Sequence, residues 1–93
     1  MHKRVIMIEF DPVKSATNFR KHRVSFSDAE QVLNDQNAQT FDDPDAENEQ
    51  RLVTLGMDSL GRILIVVHST RCNKIRLISA RKASPGEMEQ YYA

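Results

Sequence analysis

The run Ile63-Leu64-Ile65-Val66-Val67 is apolar at every position. Successive side chains of a strand point to opposite faces, so a strand with one wet face alternates apolar and polar residues, whereas one without alternation is covered on both sides. The chain must therefore build a sheet with this segment in the middle and packing layers above and below it. Strand-like segments flank it: Leu52 to Met57 before it and Lys74 to Arg81 after it, the central strand itself extending over Arg62 to Thr70. Their connections are short, one holding Gly61 and the other Cys72-Asn73, which predicts an antiparallel meander.

The covering layers are also written in the chain. Arg4 to Phe10 has the composition of a first strand and stops at Asp11-Pro12, where Asp can cap a helix whose first residue is Pro. That helix runs to about His22, with Val13, Ala16 and Phe19 on one face and Lys14, Asn18 and Lys21 on another, and its basic last turn suits the negative end of the helix dipole. A second short helix reaches about Leu33 or Asn34, its start set either by Ser27 and Glu30 or by Ser25 and Asp28. Ala38 to Phe41 offers a short strand. Ser84-Pro85-Gly86-Glu87 repeats the helix-start signature and opens a last helix through Tyr91 and Tyr92. The expected order is β-α-α-β(short)-β-β-β-α, an α+β domain over residues 1–93 with a mainly antiparallel sheet flanked by helices.

A chain of 93 residues buries only roughly 60 to 65% of its unfolded surface, which leaves little room for an enclosed cofactor. The expectation is a shallow surface site with no cofactor. One cysteine, Cys72, cannot form an internal disulfide, and no Cys or His spacing matches a zinc site, so no metal is expected. Val5 to Ile8 is too short for a signal-peptide core and no run approaches the 18 or so residues of a membrane span, which points to the cytoplasm and to no membrane association.

Charge narrows the partner. Between Arg51 and Lys82 there are seven Lys or Arg residues and one acid, Asp58, although the formal net charge of the whole chain is zero. The balancing acid is concentrated in Asp42, Asp43, Asp45, Glu47 and Glu49. Asymmetry of this kind points to a polyanion. Guanidinium groups held on strands can grip phosphates. On the last strand Ile75, Leu77, Ser79 and Arg81 share one face and Lys74, Arg76, Ile78 and Ala80 the other, so Arg76 and Arg81 diverge unless a bulge intervenes.

RNA cleavage is a reaction these residue types can support without metal. A base takes the ribose 2′-OH proton, cations stabilise the pentacoordinate phosphate, and an acid protonates the leaving oxygen. His22 and His68 suit the proton transfers, Glu9 or Glu49 are alternative bases, Arg62, Arg76 and Arg81 are phosphate clamps, and Tyr91 or Tyr92 could stack on a base or act as acid. Structural readings stand beside these. His22 can serve a helix dipole, His68 can be a hydrogen-bonded residue at a strand end, and Glu49 with Arg51 can be a surface pair.

Glu9-Phe10-Asp11-Pro12 with Lys14 and Asn18, then Lys21-His22, Val24-Ser25-Phe26 and Ala29, resembles the N-terminal half of the BrnT toxins of bacterial type II toxin–antitoxin systems. Glu49-Gln50-Arg51, Gly56, Gly61-Arg62, Val66-Val67, Arg71, Ile75 to Arg81, Ala83, Glu87 and Tyr91 resemble its C-terminal half. The chain departs from the family's usual pattern at Arg23, where Gly is common, and at Asp35-Gln36, where Asp-Pro is common. The resemblance implies a RelE-like fold and a metal-independent endoribonuclease that inhibits translation. It also implies a BrnA-type antitoxin that binds the toxin in a hetero-oligomer and supplies the contact with operator DNA. Motif and chemistry together select Arg62, Arg76, Arg81, His22 and Glu49 as the site residues. The alternative is a module that binds RNA or a partner without cutting.

Overall fold

A computed structural model describes residues 7–46 and 50–93. Its elements are β1 (Met7–Glu9), α1 (Pro12–His22), α2 (Phe26–Val32), β2 (Gln39–Asp42), β3 (Arg51–Met57), β4 (Ile63–Arg71), β5 (Lys74–Lys82) and α3 (Pro85–Tyr92). The part of the first expected strand before Met7 lies outside the described residues, as does Glu49.

The five strands form one sheet in the order β1-β5-β4-β3-β2, with the continuously apolar β4 at its centre. Three pairings are antiparallel, but β1 lies parallel to β5, so the sheet is mixed rather than uniformly antiparallel. The cause is the route of the chain: β1 leaves through α1 and α2, and only the last strand returns to its side.

Helices cover both faces. Val24, Phe26, Ala29 and Val32, from α2 and the turn before it, pack on Leu64, Val66, Leu77 and Ala80. Leu55, Ile63 and Ile65 face the other way, under Ala83 and Tyr91 at the two ends of the α3 segment. The alternate residues of β4 thus serve two cores, which is why the strand contains no polar residue before His68.

Capping fixes where the helices begin. Asp11 accepts the Val13 N–H at 2.8 Å, Ser25 accepts the Asp28 N–H at 3.1 Å, and Ser84 with Glu87 forms a complete capping box. Of the two registers for α2, the structure uses Ser25. Arg23 ends α1 in the left-handed region at φ 60°, where a glycine would sit without strain, and its guanidinium lies 5.6 Å from the Phe19 ring centroid.

The buried side of α1 corrects its periodicity. Val13, Ala16 and Phe19 are exposed, and the helix's one buried residue is Asn18. Glu9 is the last residue of β1 paired to β5, so the edge of β5 beyond Arg76 has lost its neighbouring strand. Asn18 replaces it, donating to Ala80 O at 2.8 Å and to Val24 O at 2.7 Å while its Oδ1 accepts the Ala80 N–H at 3.1 Å. Satisfying a strand edge outweighs burying a valine that water tolerates, since an unpaired buried peptide group costs about 1–3 kcal/mol.

Gly56 lets β3 pass close to the end of α2 and the α2–β2 loop. A Cβ there would stand 2.8 Å from Val32 Cγ1 and 3.2 Å from both Ala38 Cβ and Asp35 Oδ2. Gly56→Ala should therefore destabilise the protein by about 1–3 kcal/mol, measured by urea unfolding. A stability unchanged within error would show that the loop yields freely.

Candidate nucleic-acid interface

The pairing register of β4 and β5 breaks between Val67, which faces Ser79, and His68, which faces Leu77. Ile78 is the extra residue of a bulge. Past it the alternation inverts, so Leu77 and Ala80 both enter the α1/α2 core while Arg76 and Arg81 both lie on the α3 side. The divergence expected from strict alternation is thereby corrected.

On the α3 side the helix covers only one end of the sheet. Beyond it, Ser69, Arg71, Cys72, Lys74, Arg76 and Ile78, with Glu9 and Lys14 across the β1 edge, line an open groove of about 420 Å³. Four cations and one carboxylate meet there. Glu9 and Arg76 are register partners on adjacent strands, with Arg76 Nη2 3.8 Å from Glu9 Oε1 and an Arg76 side chain 68% exposed. Among the described residues Lys14, Arg71 and Lys74 make no ion pair. The hairpin carrying Arg71 and Lys74 turns through Cys72 (φ 52°) and Asn73 (φ 63°), both left-handed as a two-residue type I′ turn requires.

The remaining arginines selected from the sequence are committed elsewhere. Arg62 donates from Nε to Asp58 Oδ2 at 2.8 Å, from Nη2 to Asp28 Oδ2 at 2.9 Å and from Nη1 to Arg23 O at 3.1 Å. Asp58 is fully buried at its side chain and also accepts the Leu60 and Arg62 N–H groups, so this cluster ties the β3–β4 turn to the ends of α1 and α2. Arg62 stands near the opposite end of β4 from Ser69, the partner of Arg76, which at about 3.3 Å per residue is roughly 23 Å. One phosphate cannot bridge them.

Arg81 is gripped by Glu87, Nη1 to Oε1 at 2.8 Å and Nη2 to Oε2 at 3.0 Å, and the same carboxylate closes the capping box of α3. The Arg81 fork and the Ser84 N–H hold the Glu87 carboxyl down to about 2 from an ordinary 4.5. Its folded value lies below its unfolded one, so the stability it adds is complete above about pH 4.5 and lost as the pH falls toward 2. A Glu87→Gln variant should lack that part of the acid transition. Thermal midpoints of both proteins between pH 5 and pH 2 test this, and parallel curves would refute it.

Neither histidine joins the groove. His22 ends α1, about 12 Å along the helix axis from Lys14. His68 is 4% exposed on the α1/α2 side, its Nε2 2.8 Å from Thr54 Oγ1, and burial depresses its pKa and favours the neutral ring. Tyr91 donates to Asp35 at 2.6 Å, a bond that pushes the phenol up to about 12 and anchors α3 to the α2–β2 loop. It is a strut rather than an available acid. Of the selected residues, then, Arg76 alone stands on the open groove, Glu49 lying outside the described residues. Glu9, one of the alternative bases, stands there with it. Lys74 was legible on the face of Arg76, but Lys14 was not, because nothing local shows that the start of α1 borders the end of β5.

Comparison with known proteins bears on this geometry. Residues 10–87 match the family model for the ribonuclease toxin, BrnT, of type II toxin–antitoxin systems. The chain belongs to that family. The 1.1 Å crystal structure of the Brucella abortus ribonuclease toxin, BrnT, is similar over 86% of this chain and 99% of its own, with a TM-score of 0.67 and 28% identity. A search of curated proteins found no match. As a BrnT-family ribonuclease toxin, the chain has RNA as its substrate and an antitoxin as its partner class. No helix among the described residues is long and apolar enough to cross a membrane.

Proposed function

We propose that the groove between β1 and the β4–β5 hairpin is where this toxin cuts RNA, by metal-independent attack of a ribose 2′-oxygen on the adjacent phosphate. The observation that carries the reading is the meeting on one open face of Glu9 with Arg76, Arg71, Lys74 and Lys14. Glu9 takes the 2′-OH proton, the 2′-oxygen bonds to phosphorus, and the P–O5′ bond breaks. Arg76 and Arg71 hold the charge gathering on the non-bridging oxygens, as fixed cations do best where charge develops. A lysine ammonium, from Lys14 or Lys74, supplies the proton to the departing 5′-oxygen, leaving a 2′,3′-cyclic phosphate and a 5′-hydroxyl.

The architecture is read as RelE-like. Cutting translated messages would inhibit translation in the cytoplasm. A BrnA-type antitoxin covering the cationic face would neutralise the toxin by occlusion in a hetero-oligomer, and would carry the operator-DNA contact. Purified protein incubated with RNA in EDTA, with and without ribosomes, tests the chemistry. Cyclic-phosphate ends are the expected result, and an absolute need for Mg²⁺ would refute the mechanism. Salt-sensitive binding without cleavage would mark a binding module instead.

A further inference from the structure

Beside the cationic groove lies a second hollow, of about 320 Å³, lined by Glu9, Phe10, Asp11, Lys14, Arg76 and Leu77. Its size falls at the lower end of small-ligand pockets, about 300–1,000 Å³. It exists because β1 ends at Glu9 and the chain bends away through the Asp11 cap, uncovering the edge of β5 at Leu77. The two hollows share Glu9, Lys14 and Arg76, so they are compartments of one trough. The first compartment is cationic, with one carboxylate. The second adds to these shared groups the half-buried Phe10 side chain and the Asp11 carboxylate at its rim, Leu77 contributing its backbone while its side chain is buried in the α1/α2 core.

Phe10 is held in place by an edge-to-face contact with Phe26, ring centroids 5.7 Å apart at 85°, and so forms a rigid wall. Asp11 has one committed oxygen and one free. Oδ1 accepts the Val13 N–H at 2.8 Å as the helix cap, while Oδ2 has no hydrogen-bond partner among the described residues. The hollow therefore offers the Phe10 ring and, besides the ion-paired Glu9, one carboxylate oxygen without a partner, within a trough whose neighbouring compartment suits phosphate. A planar heterocycle attached to a phosphate has that combination of surfaces.

We propose that this hollow is a subsite for one nucleobase of the RNA, and that the free Asp11 oxygen selects bases bearing an exocyclic amino group. Adenine, cytosine and guanine each offer an amino N–H; uracil does not, and its one ring N–H is flanked by carbonyl oxygens that the carboxylate repels. Asp11 is thus a specificity-determining residue, and the inference rests on the cleavage reading above.

The test exploits the cap. In Asp11→Asn the amide oxygen still accepts the Val13 N–H, since Asn caps as well as Asp, and the amide N–H₂ replaces the free oxygen in the hollow. An acceptor becomes a donor without loss of the helix start. Short oligonucleotides with a single ribonucleotide, varied through all four bases on either side of the scissile phosphate, serve as substrates, with inosine replacing guanosine to delete only the amino group. At one of the two positions the native protein should cut amino-bearing bases ~10-fold faster in kcat/KM than uracil, and guanosine faster than inosine, as expected for a hydrogen bond to a charged group. Asp11→Asn should shift the preference toward uracil, whose O4 accepts.

Equal rates for all bases in the native protein, or an unchanged preference in Asp11→Asn, would overturn the subsite while leaving cleavage intact. If no strand is cut, the same oligonucleotides are titrated against the backbone amide signals of Phe10, Asp11 and Val13. An amino-base preference there would uphold the subsite as the cleavage reading fell, and the absence of any shift would overturn it.

Discussion

Arg62→Ala should lower stability by about 3 kcal/mol, the lower end for breaking a buried ion pair because Arg62 is itself a quarter exposed. In a domain of this size that corresponds to a fall of roughly 12–24 °C in thermal midpoint. The loss comes from Asp58, whose side chain has no solvent exposure and would be left without a counter-ion. Two backbone N–H groups would remain, from Leu60 and Arg62. Adding Asp58→Asn should recover part of the loss, since the amide oxygen can still accept those bonds while the buried charge is gone. Chemical denaturation of the single and double variants measures both effects. A single variant that stays within about 1 kcal/mol of native yet no longer cleaves RNA would return Arg62 to the phosphate-binding role inferred from its motif.

Arg76→Ala should do the reverse. Its side chain is 68% exposed and its one ion pair is long, at 3.8 Å, so stability should change by no more than about 0.5 kcal/mol. Cleavage should fall by about 10²–10³-fold, the usual consequence of removing one fixed donor from a developing phosphorane. Arg76→Lys should restore only part of the rate, because an ammonium supplies charge without the two-pronged geometry of a guanidinium. Initial rates on a defined oligonucleotide, paired with thermal midpoints, separate catalysis from folding. Cleavage at the native rate by Arg76→Ala would remove the groove from consideration.

These two arginines show where reading the chain residue by residue stops. Both sit beside apolar strands in a basic stretch, and the local signals that distinguish them are slight. Asp58 lies four residues before Arg62, but Asp28 and the Arg23 carbonyl that complete its cage come from far along the chain. The paired acid of Arg81, Glu87, was visible as a helix-capping residue, yet its second bond depends on how α3 folds back over the sheet. Arg76 is available because its partner strand β1 stops at Glu9 and no helix among the described residues covers that end of the sheet. Charge can be counted along a sequence, but counter-ions are chosen in space.

The helix face of α1 teaches the same lesson from the apolar side. Val13, Ala16 and Phe19 recur at helical spacing, and burial of that stripe is the ordinary expectation. The helix instead turns Asn18 inward, because the open edge of β5 needs a donor and an acceptor at Ala80 and a side-chain amide supplies both from separate atoms.

From the sequence alone, the central place of the Ile63 to Val67 strand, the meander around it, the capped starts of all three helices and membership of a ribonuclease toxin family could be read, because each rests on short-range stereochemistry or on motif order. The tertiary structure decided three further things: that β1 joins the sheet in parallel beside β5, that a bulge at Ile78 places Arg76 and Arg81 on one face, and that Arg76 is open while Arg62 and Arg81 are held. The physical reason is common to all three. Strand partners, bulge positions and counter-ions are set by contacts between residues distant in sequence, where no local preference favours one outcome over another.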